Sequence, residues 1–195
     1  MRVILYGVLV FSCVSVDLLL GFLKREAVSR VILHLVDNAG HGLIAFVSYA
    51  AFALWKAQAN RKRACIRSMM AGICSCALDF DHFIAAKSFH LNAATNLKTR
   101  PFAHSFCFIA LICMIVWKKT SKHRFHRVAL VFIALSSHQL RDALRHGMWF
   151  WPFGSTPPIP YALYLFIQVL LPLSIAKAQA SRHASNPTVG KVINV

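Results

Sequence analysis

The sequence predicts an all-α fold, a polytopic membrane helical bundle of about six (five to six) transmembrane helices. Hydrophobic residues make up 57% of the chain and charged residues only 14%, which leaves too little polar surface for a soluble domain. Apolar segments recur along the chain, and several reach the roughly 20 residues that a spanning helix needs. The short stretches between them are basic, as loops beside a membrane are.

Six apolar segments mark the predicted helices in chain order. They are residues 3–23, about 33–55, 67–86, 102–117, 128–151 and 160–176. The first is long for a signal peptide and lacks a small-residue cleavage site, so we expect a retained anchor. The fourth and sixth are short, which leaves a re-entrant path open for them. The stretch PFGSTPPIP, residues 152–160, predicts a turn because its four prolines and one glycine break a helix.

The predicted helices form a single transmembrane domain, residues 1–176, followed by a polar, loosely ordered tail, residues 177–195. Basic residues concentrate in the second and fourth loops and at the chain ends, which predicts that both termini are cytosolic. The net charge of +16 does not indicate nucleic acid as a partner, because the bases fall in short loops between apolar runs. The expected partners are membrane lipids.

Polar residues inside the apolar segments fall at one end of the predicted bundle, the non-cytosolic end if the spans alternate. Five of the six acidic residues belong to this set, Glu26 being the exception. An acidic residue near the middle of a spanning helix costs roughly 2.5–3.5 kcal/mol on insertion, so it persists where it faces a polar interior, pairs, or holds a cation. The set comprises Asp17, Asp37, Asn38, His41, Asp79, Asp81, His82, Arg100, His104, His138, Arg141, Asp142, Arg145 and His146.

The spacing within this set favours a metal site. His138, Asp142 and His146 are four residues apart, so they project from one face of a helix. Asp79 and Asp81 lie about 200° apart around a helix, so both reach one site only if the helix ends or unwinds there. Mixed Asp and His ligation suits a divalent metal ion: zinc, manganese, iron or magnesium.

Three motifs carry a family resemblance. LDFDH at 78–82, RPFAHS at 100–105, and SHQLRD followed by GMWFWPFG at 137–154 resemble the bacterial inner-membrane metal-dependent hydrolases of the YdjM-like type. That family carries an early His, a D-x-D-H, an H-R-G-x-T-H-S and an S-H-x-x-x-D in this order. The chain departs from the third motif, where Thr99, Pro101 and Ala103 replace a histidine, a glycine and a threonine. One possible ligand is thereby lost, so the resemblance does not decide whether the site holds a second metal ion.

The resemblance implies a role for each of the site residues. The implied metal ligands are His41, Asp81, His82, His104, His138 and Asp142. If hydrolysis is retained, an aspartate that does not bind the metal takes the proton, with Asp79 or Asp81 as the candidate. Arg100 and Arg141 are the candidates for holding an anionic group such as a phosphate. The expected substrate is a lipid or a lipid-linked molecule.

Two other interpretations stay open. A lipid phosphatase of the phosphatidic-acid type fits the Arg-Pro at 100–101 and the His138-x-x-x-Asp142 spacing, but the P-S-G-H motif of those enzymes is absent. A non-enzymatic scaffold or interaction protein fits if Arg141 and Arg145 pair with the aspartates in a polar network that orders the bundle. The metal content of the protein distinguishes these alternatives.

Overall fold

The structure, a computed structural model, describes residues 2–55 and 60–185 and is built from α-helices. They are α1 (Arg2–Arg25), α2 (Arg30–Ala53), α3 (Arg61–Leu78), α4 (Phe80–Ala86), α5 (Leu91–Thr95), α6 (Phe106–Lys119), α7 (Arg124–His146) and α8 (Tyr161–Ser185), with a 3-10 turn, η1 (Phe102–His104). Within these residues there is no strand, and only an isolated bridge joins Trp149 and Ser155. The predicted all-α membrane bundle is confirmed.

Four helical stretches are long and apolar enough to cross a membrane: Val3–Arg25, Arg30–Ala53, Arg61–Ala86 and Tyr161–Arg182. The five to six predicted spans exceed this number for two physical reasons. Helix α6 has 14 residues, about 21 Å of helix against a hydrocarbon core of about 30 Å. Helix α7 carries a long buried polar face, which lowers its apolar content.

Helix α2 lies at the centre of the bundle and contacts α1, α3, α7 and α8. It runs antiparallel to α7, since Tyr49 near its carboxyl end contacts the backbone of His126, while Asp37 near its amino end contacts Arg141. The α2–α3 contact is very close: a Cβ atom on Gly72 would lie 2.9 Å from the backbone oxygen of Gly42. These contacts fix the helix ends that carry the polar residues.

Interruptions of the helices lie on the same side of the bundle as that polar set. Helix α3 ends at Leu78, and the single residue Asp79 separates it from α4. The turn predicted at 152–160 lies between α7 and α8, and α7 ends at His146 instead of 151 because Gly147 takes a positive φ of 72°. Helix α8 extends to Ser185, into the predicted polar tail, whose residues 186–195 lie outside the described part of the chain.

Candidate metal centre

Four side-chain atoms from three parts of the chain converge at the polar end of the bundle. The Nε2 atoms of His104 in η1 and His138 in α7 are 3.3 Å apart. Oδ1 of Asp79 lies 3.5 Å from the first and 3.3 Å from the second. Oδ2 of Asp142 lies 3.6 Å from Nε2 of His104 and 3.5 Å from Nε2 of His138. The predicted pairing of His138 and Asp142 on one helix face is therefore present.

The separations have the size that a tetrahedral ion requires. Ligand atoms bound at about 2.0–2.2 Å from a tetrahedral centre lie about 3.3–3.6 Å from one another. The five distances among His104, His138, Asp79 and Asp142 run from 3.3 to 3.6 Å. Five of the six separations among these four atoms thus have the size that one small tetrahedral ion requires.

Hydrogen bonds on the far side of each imidazole set its tautomer. Nδ1 of His104 lies 2.9 Å from Oδ2 of Asp81, and Nδ1 of His138 lies 3.0 Å from the backbone oxygen of Ser75. Carboxylate and carbonyl oxygens only accept, so each Nδ1 carries the proton and donates it. In the neutral form of each ring, Nε2 then holds a lone pair that faces the other ring and the carboxylates of Asp79 and Asp142. A bound cation or a second proton on the rings offsets these facing acceptors.

His41 forms the third wall of the centre. Its ring stacks on that of His138 with centroids 3.8 Å apart, and its Nε2 lies 3.5 Å from Oδ1 of Asp142. Among the described residues, its buried Nδ1 has no hydrogen-bond partner. His41 is therefore adjacent to the four converging atoms and holds an unused ring nitrogen.

The two aspartates of the D-x-D-H motif contact different nitrogens of His104. Asp79, predicted to take a proton, lies among the converging atoms, and its Oδ2 accepts a hydrogen bond of 3.0 Å from Asn38. Asp81, predicted as a ligand, stands behind His104 and contacts the nitrogen that faces away from the centre. His82, also predicted as a ligand, contacts the backbone of Ala94 through Nδ1 at 3.2 Å.

Arg141 pairs with aspartates of two other helices. Its buried guanidinium contacts the carboxylate of Asp37 and, at 3.2 Å, that of Asp17, and it does not line the cavity described below. Two carboxylates already pair with Arg141, whose buried Nε has no hydrogen-bond partner among the described residues, so its binding of an anionic ligand stays a prediction. Arg145 continues the same chain of charges: it donates to Asp37 at 2.7 Å and to Asp142 at 2.8 Å.

A cavity of about 710 Å³ opens from the centre toward the surface. His41, Asp79, His104 and Asp142 line its inner end, and Arg100 lies on its wall. Arg100 donates to the backbone oxygen of Gly147 at 3.1 Å and forms no salt bridge within residues 2–55 and 60–185. Burial lowers the pKa of Arg100, nearby Asp142 raises it, and Arg145 lowers it further. Arg100 is thus a partly buried cation without a carboxylate partner.

Three supporting residues were missed or left without a role by the sequence. Asn38 orients Asp79. Asn38 lies three residues before His41 on α2, and this spacing places both on one helix face, which the sequence alone indicates. Asp37 joins Arg141 to Arg145, which no local spacing indicates. Ser75 acts through its backbone oxygen, so its side-chain type carries no signal.

Comparison with known proteins gives a family and several relatives. The sequence profile of the family described as YdjM inner membrane protein matches residues 36–193. The chain is similar to Transmembrane protein 267 of Danio rerio, with 35% identity over 143 residues that cover 71% of this chain and 63% of that protein. The Bos taurus protein of the same name is 32% identical over 169 residues, 82% of this chain and 74% of its own length.

The Mus musculus protein of that name is 33% identical over 143 residues, 70% of this chain and 64% of its own length. The chain thus spans less than two thirds of the Danio rerio and Mus musculus proteins. No solved structure matches it. The match at 36–193 contains every residue of the predicted site and leaves out the whole of α1.

Proposed function

This chain belongs to the YdjM inner membrane protein family, and we propose that it is a membrane-embedded hydrolase whose His/Asp cluster binds one divalent metal ion. The observation that carries the proposal is the set of five 3.3–3.6 Å separations among lone-pair atoms of His104, His138, Asp79 and Asp142. These four residues are the proposed ligands. Two imidazoles and two carboxylates at tetrahedral spacing favour zinc, with manganese and iron as alternatives, over magnesium, which prefers an octahedral oxygen shell.

The residues around the proposed ligands fit the needs of a metal centre. Asp81 and the Ser75 carbonyl accept the Nδ1 protons of the two ligand histidines, which fixes ring orientation and raises ligand basicity. Arg145 and Asn38 hold the second oxygens of Asp142 and Asp79. A bound ion of this kind lowers the pKa of a coordinated water and polarises a carbonyl or phosphoryl oxygen.

The proton acceptor is reassigned in this proposal from Asp79 to His82. The Nδ1 proton of His82 is donated to Ala94, so its Nε2 carries a lone pair, and the residue lines the cavity. Its ring lies edge-on to that of His104, with centroids 4.7 Å apart. His82 is therefore close to the proposed ligands without a contact that would occupy its Nε2.

Metal content tests the proposal directly. We expect about one zinc, manganese or iron ion per chain in protein purified in detergent, and its loss in the double variant His138→Ala, Asp142→Ala. The matched control is Glu26→Ala, His34→Ala, which removes one acid and one histidine that are both exposed and outside the cluster. Unmodified protein that stays metal-free after incubation with these ions, or a double variant with full metal content, contradicts the assignment.

A non-enzymatic scaffold is the second candidate function, and the charge network favours it. Asp17, Arg141, Asp37, Arg145 and Asp142 are joined by four ion pairs across three helices, so the network orders the bundle without any metal. This interpretation predicts a metal-free protein whose thermal unfolding is unaffected by a chelator. A metal-loaded protein whose unfolding temperature falls on chelation rejects it.

A further inference from the structure

The cavity beside the centre changes from polar to apolar along its depth. At its inner end His41, His104 and Asp142 are 2%, 1% and 8% exposed. At its outer end Phe80 and Phe89 are 65% and 96% exposed. A molecule that fills the cavity therefore meets charged and imidazole groups with one end and apolar side chains with the other.

Part of the apolar wall belongs to helices that are long and apolar enough to cross a membrane. Leu35, which is 64% exposed, belongs to the candidate span Arg30–Ala53, and Phe80 and Phe83 belong to the candidate span Arg61–Ala86. Exposed apolar side chains on spanning helices are suited to contact lipid chains. The alkyl chain of a membrane lipid can therefore pack along this wall.

Arg100 on the cavity wall favours an anionic occupant. Arg145 is engaged by Asp37 and Asp142, whereas the guanidinium of Arg100 donates to a backbone oxygen, lies 6.0 Å from the ring of Trp149 and forms no salt bridge within the described residues. A partly buried guanidinium gains most from an anion that accepts two parallel hydrogen bonds, which phosphate and carboxylate groups do. Of the two arginines on the cavity wall, Arg100 is thus the one suited to bind an anionic headgroup.

We propose that the cavity binds a membrane-borne anionic amphiphile, with a phosphate-type headgroup at Arg100 and an alkyl chain along the apolar wall. The inference rests on the proposed function in one respect: the headgroup then lies beside the residues that would bind the metal. The volume of about 710 Å³ is within the roughly 300–1,000 Å³ typical of small-ligand sites. It holds a headgroup and the first part of a chain, and the remainder stays in the bilayer.

Calorimetric titration with defined probes tests this proposal on protein held in phosphatidylcholine nanodiscs, with empty nanodiscs subtracted. The probes are dodecyl phosphate, inorganic phosphate and dodecyltrimethylammonium. We expect saturable binding of dodecyl phosphate only. Saturable binding of inorganic phosphate with equal affinity, or of the cationic amphiphile, overturns the proposal.

Two variants and their matched controls locate the site. Arg100→Gln should weaken dodecyl phosphate binding about 10-fold or more, because a charge-assisted hydrogen bond is lost, and Arg100→Lys should recover part of it. Phe89→Ala should weaken binding by a smaller factor. Two control variants should leave dodecyl phosphate binding unchanged. They are Arg127→Gln, at the end of α7 away from the cavity, and Phe153→Ala, outside the cavity. Equal affinity of Arg100→Gln and Arg127→Gln overturns the proposal.

The titration also separates failure of this inference from failure of the proposed function. A metal-free protein that still binds dodecyl phosphate through Arg100 rejects the metal centre and leaves the amphiphile site standing. A metal-loaded protein that does not bind dodecyl phosphate overturns the amphiphile site and leaves the metal centre standing.

Discussion

At the scale of single residues, two aspartates separated by one position have different surroundings. Asp79 directs Oδ1 at the Nε2 atoms of His104 and His138, whereas Asp81 contacts only the outward-facing Nδ1 of His104. Residues two positions apart in a helix point about 200° away from each other, and Asp79, between α3 and α4, keeps a nearly helical backbone. In the proposed metal centre, Asp79 would be a ligand and Asp81 would position one.

Substitution of each aspartate separates these roles. In Asp81→Asn we expect metal affinity to fall by about 10–100-fold while saturating metal still fills the site, as is typical when a second-layer carboxylate is lost. In Asp79→Asn we expect a larger loss, together with reduced stoichiometry at saturation. Competition against a fluorescent chelator measures both quantities. Equal losses in the two variants contradict the distinction.

Part of the site can be predicted from residue spacing alone. His138 and Asp142 are four apart on one helix, and the structure brings both to the same point. The order of Asp79 and Asp81 is not predictable in this way, because it depends on where the helix breaks. The partners of Arg141 are also not predictable from the sequence, since Asp17 is 124 residues away and no local pattern links it to Arg141.

At the scale of helices, the contact between α2 and α3 determines how close His41 and Asp79 come. Ser75 in α3 donates to the backbone oxygen of His41 at 3.2 Å, which requires the two helices to be in close contact. Gly42 and Gly72 permit this approach, because a side chain on either would overlap with the opposite helix.

Gly72→Ala should therefore destabilise the protein by about 1–3 kcal/mol, since its new Cβ meets the backbone of Gly42 rather than a movable side chain. The matched control is Gly21→Ala in α1, where nothing lies within 4 Å of the added atom. The higher helix propensity of alanine makes that change neutral or stabilising by up to about 1 kcal/mol. Thermal unfolding in detergent measures both, and similar unfolding temperatures would refute the close-contact argument.

Each of the six predicted apolar segments contains one of the longer helices, because apolar length is a strong signal in a membrane chain. The stretch from Phe80 to His104 is different. Its pieces α4, α5 and η1 have seven, five and three residues, too few for a periodic pattern to emerge. Their positions depend on tertiary contacts such as that between His82 and the backbone of Ala94.

At the scale of the whole molecule, a chain of charges joins three helices behind the centre. Arg141 of α7 is held by Asp17 of α1 and Asp37 of α2, and all three side chains are largely buried. Removal of the cation takes a buried guanidinium away from both carboxylates, which leaves Asp37 with Arg145 and Asp17 with the hydroxyl of Tyr161.

Arg141→Met should cost roughly 3–5 kcal/mol of stability, the range found when one partner of a buried ion pair is removed. Arg127→Met, at an exposed position on the same helix, should cost much less. Denaturant or thermal unfolding of the two variants compares them. Equal stabilities would show that the network contributes little to the bundle.

The predicted orientation of the bundle is tested by labelling single cysteines in sealed vesicles. On a Cys65→Ser background, Ser121→Cys lies between α6 and α7, and Asn92→Cys lies in α5 near the cavity; both positions are exposed. With cytosolic termini we expect an impermeant maleimide added to the cytosolic side to label only the first. Labelling of Asn92→Cys alone would reverse the orientation.

The charge network has a consequence for chains of different length. Asp17 lies before the stretch that matches the family profile, while His41, Asp79, His104, His138 and Asp142 all lie inside it. A shortened chain that starts at α2 would keep all the residues whose atoms converge at the centre. It would lack Asp17, one of the two carboxylates that pair with Arg141. In such a chain Asp37, which Arg145 shares, would be the remaining carboxylate beside that guanidinium.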